Sequence, residues 1–421
     1  MTVTPGKKRS AAGETANEGS SSATLESFIR LEASRKKLAL SKSGPAMLAR
    51  LDYPLEVALK GAALGRFWQG HRLPGEPEPL IASPLPRHYR TTSKRRILLR
   101  AKGRKADKFP SHGILGAEDG SLLLEPEGHA GIFSAMEEWL SRPEFAPLAE
   151  ALNFIIVRGT YDEFMVIFNL ARLDRGLHHL VARAAEALRG RDGRVVSAFL
   201  FIDPSRSPYY LESDRPRGSF SIKKLFGPDH FRLRIGHLQY FVPPTSFSQV
   251  NESILPGLVE TVRSMATGER IGRLLDLYCG YGLFALSLRT RYREVFAVDA
   301  AAGSVRAGIA MIGRFPGQAP VHFRSGAIAR NSLERLLPPP LPPGEEDVVL
   351  DPPRRGADEA VITAIARRRP GRVIHLFCAA DEIPAAIAAW RRRGYFVRRV
   401  APLDMFAGTP QIETAVLFTR A

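Results

Sequence analysis

A doubly wound α/β domain over residues 247–421, an α+β domain over residues 46–246 and a polar tail over residues 1–45 make up the organisation the chain predicts. After Asn251 short apolar runs alternate with helical patterns, as in a mostly parallel sheet with crossover helices. Two of those runs end in Cys279-Gly280-Tyr281-Gly282 and Asp351-Pro352-Pro353, and such sheets take their ligands at the carboxyl ends of their strands.

Composition narrows the functional classes. The chain has 421 residues, with 60 Lys and Arg against 43 Asp and Glu and a formal net charge of +17, which points to a polyanionic partner. A coding bias that favours Arg along with Ala, Pro and Gly is the competing explanation. The two cysteines, Cys279 and Cys378, make no disulfide framework, so reduced thiols in a cytoplasmic protein are expected. With scattered histidines they give no metal-ligand spacing either, and no metal site is expected. No apolar run has the length of a bilayer span, and Lys7, Lys8 and Arg9 lead into Gly, Ser, Ala and Glu rather than the apolar stretch of a secretory signal.

In chain order, residues 1–45 are Ser-, Ala-, Gly- and Lys-rich without sustained periodicity and are expected to be flexible. In the α+β domain, Ile97-Leu98-Leu99, Phe154 to Val157 and Phe164 to Phe168 read as strands, with helices over Ala135 to Leu140 and Leu177 to Leu188. Its densest basic stretch runs Arg87-His88-Tyr89-Arg90, Lys94-Arg95-Arg96, Arg100, Lys102, Arg104, Lys105. Cations interleaved with Tyr89 would track phosphates while the ring stacks on a base; a protected strand edge explains the same residues.

A helix with Ile254, Leu255, Leu258, Val259, Val262 and Met265 on one face opens the second domain, with Asn251 as its expected cap. Strands are expected near 273–278, 294–299, 320–324, 347–350, 372–378, 395–401 and 412–419. Leu337 to Pro343 reads as a stiff loop. The first strand runs into Cys279-Gly280-Tyr281-Gly282, where glycines let a ligand approach the backbone, and Asp299 ends the second, placed to accept from both hydroxyls of a ribose. The full Gly-x-Gly-x-x-Gly turn of a dinucleotide site is missing, so the spacing suits S-adenosylmethionine better. Two prolines cannot continue a central strand; the chain leaves the sheet after Leu350 and presents Asp351 and Arg354 at its edge. The fifth strand brings Cys378 to that edge, and Gln411-Ile412-Glu413 returns near the end of the chain.

These residues resemble the RNA uracil-5 methyltransferases, which make 5-methyluridine in transfer and ribosomal RNA. The resemblance covers residues 247–421: Phe247-Ser248-Gln249-Val250-Asn251, Leu274 to Gly282, Asp351 to Gly356, Cys378 and Glu413 stand in family order at close to family spacing. It implies a Rossmann-like class I methyltransferase domain with an upstream RNA-binding domain, S-adenosylmethionine as methyl donor and an RNA partner (tRNA or rRNA); a monomer is expected. It also implies that the Cys378 thiolate adds to uracil C6 and turns the ring into an enolate reactive at C5. Glu413 then takes the C5 proton so that the thiol can leave. A free thiol titrates near ~8.5, so a neighbouring cation helps, and Arg354 is the expected one, with a second role at the enolate oxygen. Gln249, Tyr278, Asp299 and Asp351 would hold the cofactor beside the Gly280 and Gly282 backbone, with Asp351 also a catalytic candidate that touches the nucleophile or the uracil. The target base must leave its stack to reach Cys378.

The chain departs from the family at Phe377 and Ala379, where Ser precedes the cysteine and Asn-Pro follows it, at Gln411, commonly His, and at Leu283, often polar. The cysteines of an iron-sulfur cluster are absent, and so is an N-terminal small RNA-binding barrel. Two other readings stand beside the first: methyl transfer to another base or a protein side chain with Cys378 incidental, and a non-catalytic RNA-binding protein that keeps the pocket.

Overall fold

The computed structural model describes residues 23–41, 44–99, 112–114, 120–211, 221–266 and 271–420. Lys7, Lys8, Arg9, Arg100, Lys102, Arg104 and Lys105 lie outside the described residues.

All seven strands expected after Asn251 form, as β9 Ile271–Leu277, β10 Tyr292–Asp299, β11 Val321–Ser325, β12 Glu346–Leu350, β13 Arg372–Phe377, β14 Tyr395–Leu403 and β15 Glu413–Arg420. They make one sheet in the order β11-β10-β9-β12-β13-β15-β14. The five strands from β11 to β13 run parallel, and β15 is antiparallel to both β13 and β14. Side chains alternate between two cores, as the strand period requires: Leu274, Val349, Ile374 and Leu376 face one, and Leu275, Leu277, Val348, Val373 and Phe377 the other. The strand order reverses direction between β9 and β12, the position where such sheets open a crevice.

The upstream sheet has the order β2-β1-β3-β4-β5-β6, with β1 Thr92–Leu99, β2 His112–Ile114, β3 Leu152–Gly159, β4 Phe164–Leu170, β5 Val195–Ile202 and β6 Ile222–Phe226. β4 and β5 are parallel, joined by the crossover helix Arg175–Arg191. One face packs on that helix and on Glu127–Leu140 through Ile155, Val157, Val166, Phe168 and Leu200. The other, through Phe154, Ile156, Met165, Ile167, Phe199 and Phe201, joins the core of the seven-stranded sheet by way of the hairpin of β7 Phe231–Ile235 and β8 Leu238–Val242.

Residues 25–70 differ from expectation. Leu25–Arg35, expected inside a flexible tail, is a helix (α1), capped by the Thr24 hydroxyl, which accepts from the Ser27 N–H at 3.3 Å. Tyr53–Gly70 (α2), expected in the upstream domain, packs with α1 on the far face of the seven-stranded sheet, where Ile29, Leu59, Phe67 and Trp68 join the core of Leu275, Val348 and Trp390. The α1 stripe of Leu25, Phe28, Ile29 and Ala33 is short and stands within a Ser-, Ala- and Gly-rich stretch, so the sheet face it covers is what gives it meaning.

Candidate active site

The turn after β9 is built for close approach. Tyr278, Gly280 and Gly282 all take positive φ, at 64°, 54° and 90°. A Cβ on Gly280 would meet nothing within 4 Å, so that backbone faces open space, whereas one on Gly282 would lie 2.5 Å from Phe323. Asp299 braces the turn: Oδ2 accepts from the Gly280 N–H at 2.9 Å and Oδ1 from the Ala301 N–H at 2.7 Å. Tyr278 is half-buried against the core on the α1 and α2 side, and burial pushes its phenol up to about 12.

Asp351 leaves β12 with its N–H donating to the Leu277 carbonyl at 3.3 Å. Buried Gln249, on the loop after Val242, reaches Asp351 Oδ2 through Nε2 at 3.5 Å. Burial, then the Asp299 charge, raise the Asp351 carboxyl to about 7. Asp276, beneath the turn, accepts from the Ala285 N–H at 2.8 Å through Oδ2, while its buried Oδ1 has no partner. Burial holds it well above the carboxylate range. Three carboxyls around an open glycine turn, one with an orphaned oxygen, fit a ligand that brings hydroxyls and positive charge.

The reaction edge comes from two neighbouring strand ends. β13 pairs with β15 in a register that matches Phe377 with Thr414, so the next step along the ladder sets Cys378 opposite Glu413. Glu413 is 1 % exposed, and neither carboxyl oxygen has a hydrogen-bond partner. Burial and then Asp351 push it well above the usual carboxylate range. Burial, followed by Glu413 and Asp351, raises the Cys378 thiol to about 12. Pro352, Pro353, Arg354, Gly356, Cys378 and Glu382 line a small cleft there.

Arg354 corrects an expectation in part. It does favour the thiolate, but the thiol still ends up raised, because an exposed guanidinium that donates to Gln411 Oε1 at 3.3 Å is outweighed by burial and two carboxyls. Asn251 does not cap its helix; its Nδ2 donates to Ser83 Oγ at 2.9 Å and to the Met405 carbonyl at 3.2 Å. Tyr89 is wholly buried with its hydroxyl donating to the Ala407 carbonyl at 2.8 Å, so it presents no ring to a base. Arg87 and Arg95 are spent on Glu56 and Glu125, and Lys94 on β1 donates to the Pro208 carbonyl at 2.6 Å, while Arg96 keeps an exposed side chain on the same strand.

Two residues escaped the sequence reading. Asp276 looked like a strand residue, and only its orphaned oxygen marks it. Arg158 of β3, 1 % exposed, donates to the Pro244 carbonyl at 2.8 Å and to Ser248 Oγ at 2.9 Å, tying the upstream sheet to the loop that carries Gln249. Nothing in its neighbourhood of sequence signals that reach. Among the described residues no group of three or more His, Cys, Asp or Glu could hold a metal ion, and no helix is long and apolar enough to cross a membrane.

Comparison with known proteins gives concordant findings. Residues 223–314 match the family model of tRNA (uracil-5-)-methyltransferase. An uncharacterized RNA methyltransferase of Thermotoga maritima is 26 % identical over 388 residues, 88 % of this chain and 81 % of that protein. Another, of Clostridium tetani, is 25 % identical over 319 residues, 73 % of this chain and 65 % of that protein. The structure of Pyrococcus abyssi tRNA (uracil-54, C5)-methyltransferase in complex with S-adenosyl-L-homocysteine superposes with a TM-score of 0.61 at 20 % identity, over 89 % of this chain and 85 % of that one, a likeness of fold.

Proposed function

We propose that the chain, a member of the RNA uracil-5 methyltransferase family, whose members use S-adenosylmethionine, methylates C5 of a uridine in transfer or ribosomal RNA through a covalent Cys378 adduct. The observation that carries this reading is the meeting of Cys378, Glu413 and Asp351 at one buried edge beside the Gly280 turn. Bound S-adenosylmethionine would supply an electrophilic methyl group on a cationic sulfur. Asp299 would take its ribose, Gln249 and Asp351 its amino-acid side, and the Gly280 backbone would leave it room, with Tyr278 packed beneath.

Cys378 sulfur then bonds to C6, and the C5–C6 π electrons become an enolate that makes C5 nucleophilic. Arg354 offsets the negative charge of thiolate and enolate. After methylation Glu413 accepts the C5 proton, the C5–C6 double bond reforms and the thiolate leaves. Burial favours the protonated forms of Cys378 and Glu413, and the cationic sulfur of a bound methyl donor would favour the thiolate on which attack depends.

The six-stranded sheet, with Arg96 exposed on β1, would hold the surrounding RNA, and residues 247–421 together with α1 and α2 would carry the chemistry. The proposal includes a cytoplasmic monomer, consistent with two free cysteines.

RNA from a strain deleted for this chain and grown with 5-fluorouracil tests the mechanism, because a C5 fluorine cannot be abstracted. The wild type should form an RNA adduct that survives denaturation, and Cys378→Ala should form none. On ordinary RNA, Cys378→Ala should lower methyl transfer by about a thousandfold or more. Full transfer by Cys378→Ala would exclude the covalent route.

A further inference from the structure

Glu413 cannot aim itself, since neither of its carboxyl oxygens has a partner. Its direction is set by the backbone on either side. β15 is held by its two neighbouring strands, with Glu413 opposite Leu403. The preceding loop, residues 404–412, is held from outside the sheet. Lys60 of α2 donates to Asp404 Oδ1 at 2.6 Å and to the Phe406 carbonyl at 3.1 Å. Glu56, one turn earlier on α2, accepts from the Gly408 N–H at 2.5 Å and pairs with Lys60 at 3.2 Å and with Arg87 at 2.9 Å. The Leu48 N–H donates to the Gly408 carbonyl at 2.9 Å, and Tyr89 and Asn251 hold the Ala407 and Met405 carbonyls. Gly408 takes φ +82°, and a Cβ there would lie 2.7 Å from Leu124 and 3.2 Å from Ala49.

The side chains of Glu56, Lys60 and Asp404 are all 0 % exposed. A buried ion cluster is a poor way to gain stability, because desolvation consumes most of the attraction and apolar side chains of similar volume do as well. It is a good way to select one loop conformation, since any other leaves charges unpaired in the interior. Resting on the covalent reading above, we propose that the Glu56–Lys60–Asp404 cluster, with Arg87 at its rim, is a positioning network for Glu413, and that it governs the second half of the reaction rather than the first. Bond formation from Cys378 sulfur to C6 and from C5 to the methyl group does not use Glu413. Release does: the C5–H bond breaks toward a Glu413 oxygen, its electrons form the C5–C6 double bond, and the C6–S bond breaks with the pair returning to sulfur. A loosened loop therefore traps the methylated adduct.

The test variant is Lys60→Met combined with Asp404→Asn, which removes the central pair while leaving Glu56 its Arg87 partner. Full-length protein, S-adenosylmethionine carrying a tritiated methyl group and RNA from the deletion strain are mixed in single turnover. Wild type should release methylated RNA without a lasting adduct; Glu413→Gln and the double variant should accumulate a denaturation-resistant, tritiated protein–RNA adduct. In the double variant release should slow by about tenfold, while adduct formation on 5-fluorouridine RNA and the Michaelis constant for S-adenosylmethionine stay within about twofold. Release that keeps pace with methyl transfer in the double variant, while Glu413→Gln accumulates adduct, overturns the proposal. So does equal slowing of adduct formation and release, which is the signature of general damage to the fold. No adduct from wild type on 5-fluorouridine RNA overturns the covalent reading itself. If the double variant does not fold, Tyr89→Phe carries the test: it loses only the hydrogen bond to Ala407 and should slow release alone, by about threefold.

Discussion

Three acidic groups, Cys378, Glu413 and Asp351, crowd one buried edge with one exposed guanidinium, Arg354, beside them, and each raises the cost of ionising the others. Asp351 gives this a measurable form. Its folded value of about 7 lies above that of an unfolded aspartate, so between about pH 4 and 7 the folded protein retains a proton that the unfolded chain has lost. Stability from this group is present below that window and disappears as pH rises through it. Asp351→Asn should therefore be more stable than wild type at pH 8 without ligand, by on the order of 1–3 kcal/mol, and equal to it at pH 4. Thermal melts at pH 4, 6 and 8 check this; a difference that does not change with pH removes the assigned cause. Cys378 and Glu413 could be picked out from their spacing to Asp351-Pro352-Pro353, but Arg158 could not, because Pro244 and Ser248 lie far along the chain and nothing local marks a buried cation.

Among the elements, the turn between β9 and the short helix Leu283–Ser287 is the most constrained. Phe323 of β11 is wedged between Gly282 and Gly308, at each of which a Cβ would lie 2.5 Å from its ring. Gly282→Ala adds the strain of φ +90° to that clash and should cost about 2–4 kcal/mol. Chemical denaturation measures it, with weaker S-adenosylmethionine binding by calorimetry as the functional counterpart; a loss below about 0.5 kcal/mol would show that the ring moves freely and the turn is not built around it. The seven strands were legible because each is a short apolar or alternating run bounded by turn residues. Their order was not. That β15 inserts between β13 and β14, rather than adding to the edge, is what sets Glu413 beside Cys378.

Across the whole molecule, the formal charge of +17 is divided between two uses. Some cations are structural: Arg158 and Arg289 hold carbonyls, and Arg273 and Arg368 converge on buried Glu346. Exposed cations such as Arg96 would meet RNA phosphates on the proposed reading. Affinity for RNA from the deletion strain should fall by on the order of a hundredfold between 50 and 200 mM salt. A filter-binding series that stays flat would argue against phosphate contacts as the main source of affinity. Helices α1 and α2 show the same limit at this scale, since their packing on the seven-stranded sheet, far from them in sequence, could not be read from composition.

The sequence by itself determined the elements and the chemical types at the site, because apolar periodicity, glycine turns and prolines act over a few residues and each motif is local. Only the tertiary structure decided which of those groups share a buried edge, how far burial raises their proton affinities, and what holds the loop that delivers Glu413. Those depend on sheet order, solvent exclusion and contacts such as Lys60 to Asp404, which join residues hundreds of positions apart and have no local signature.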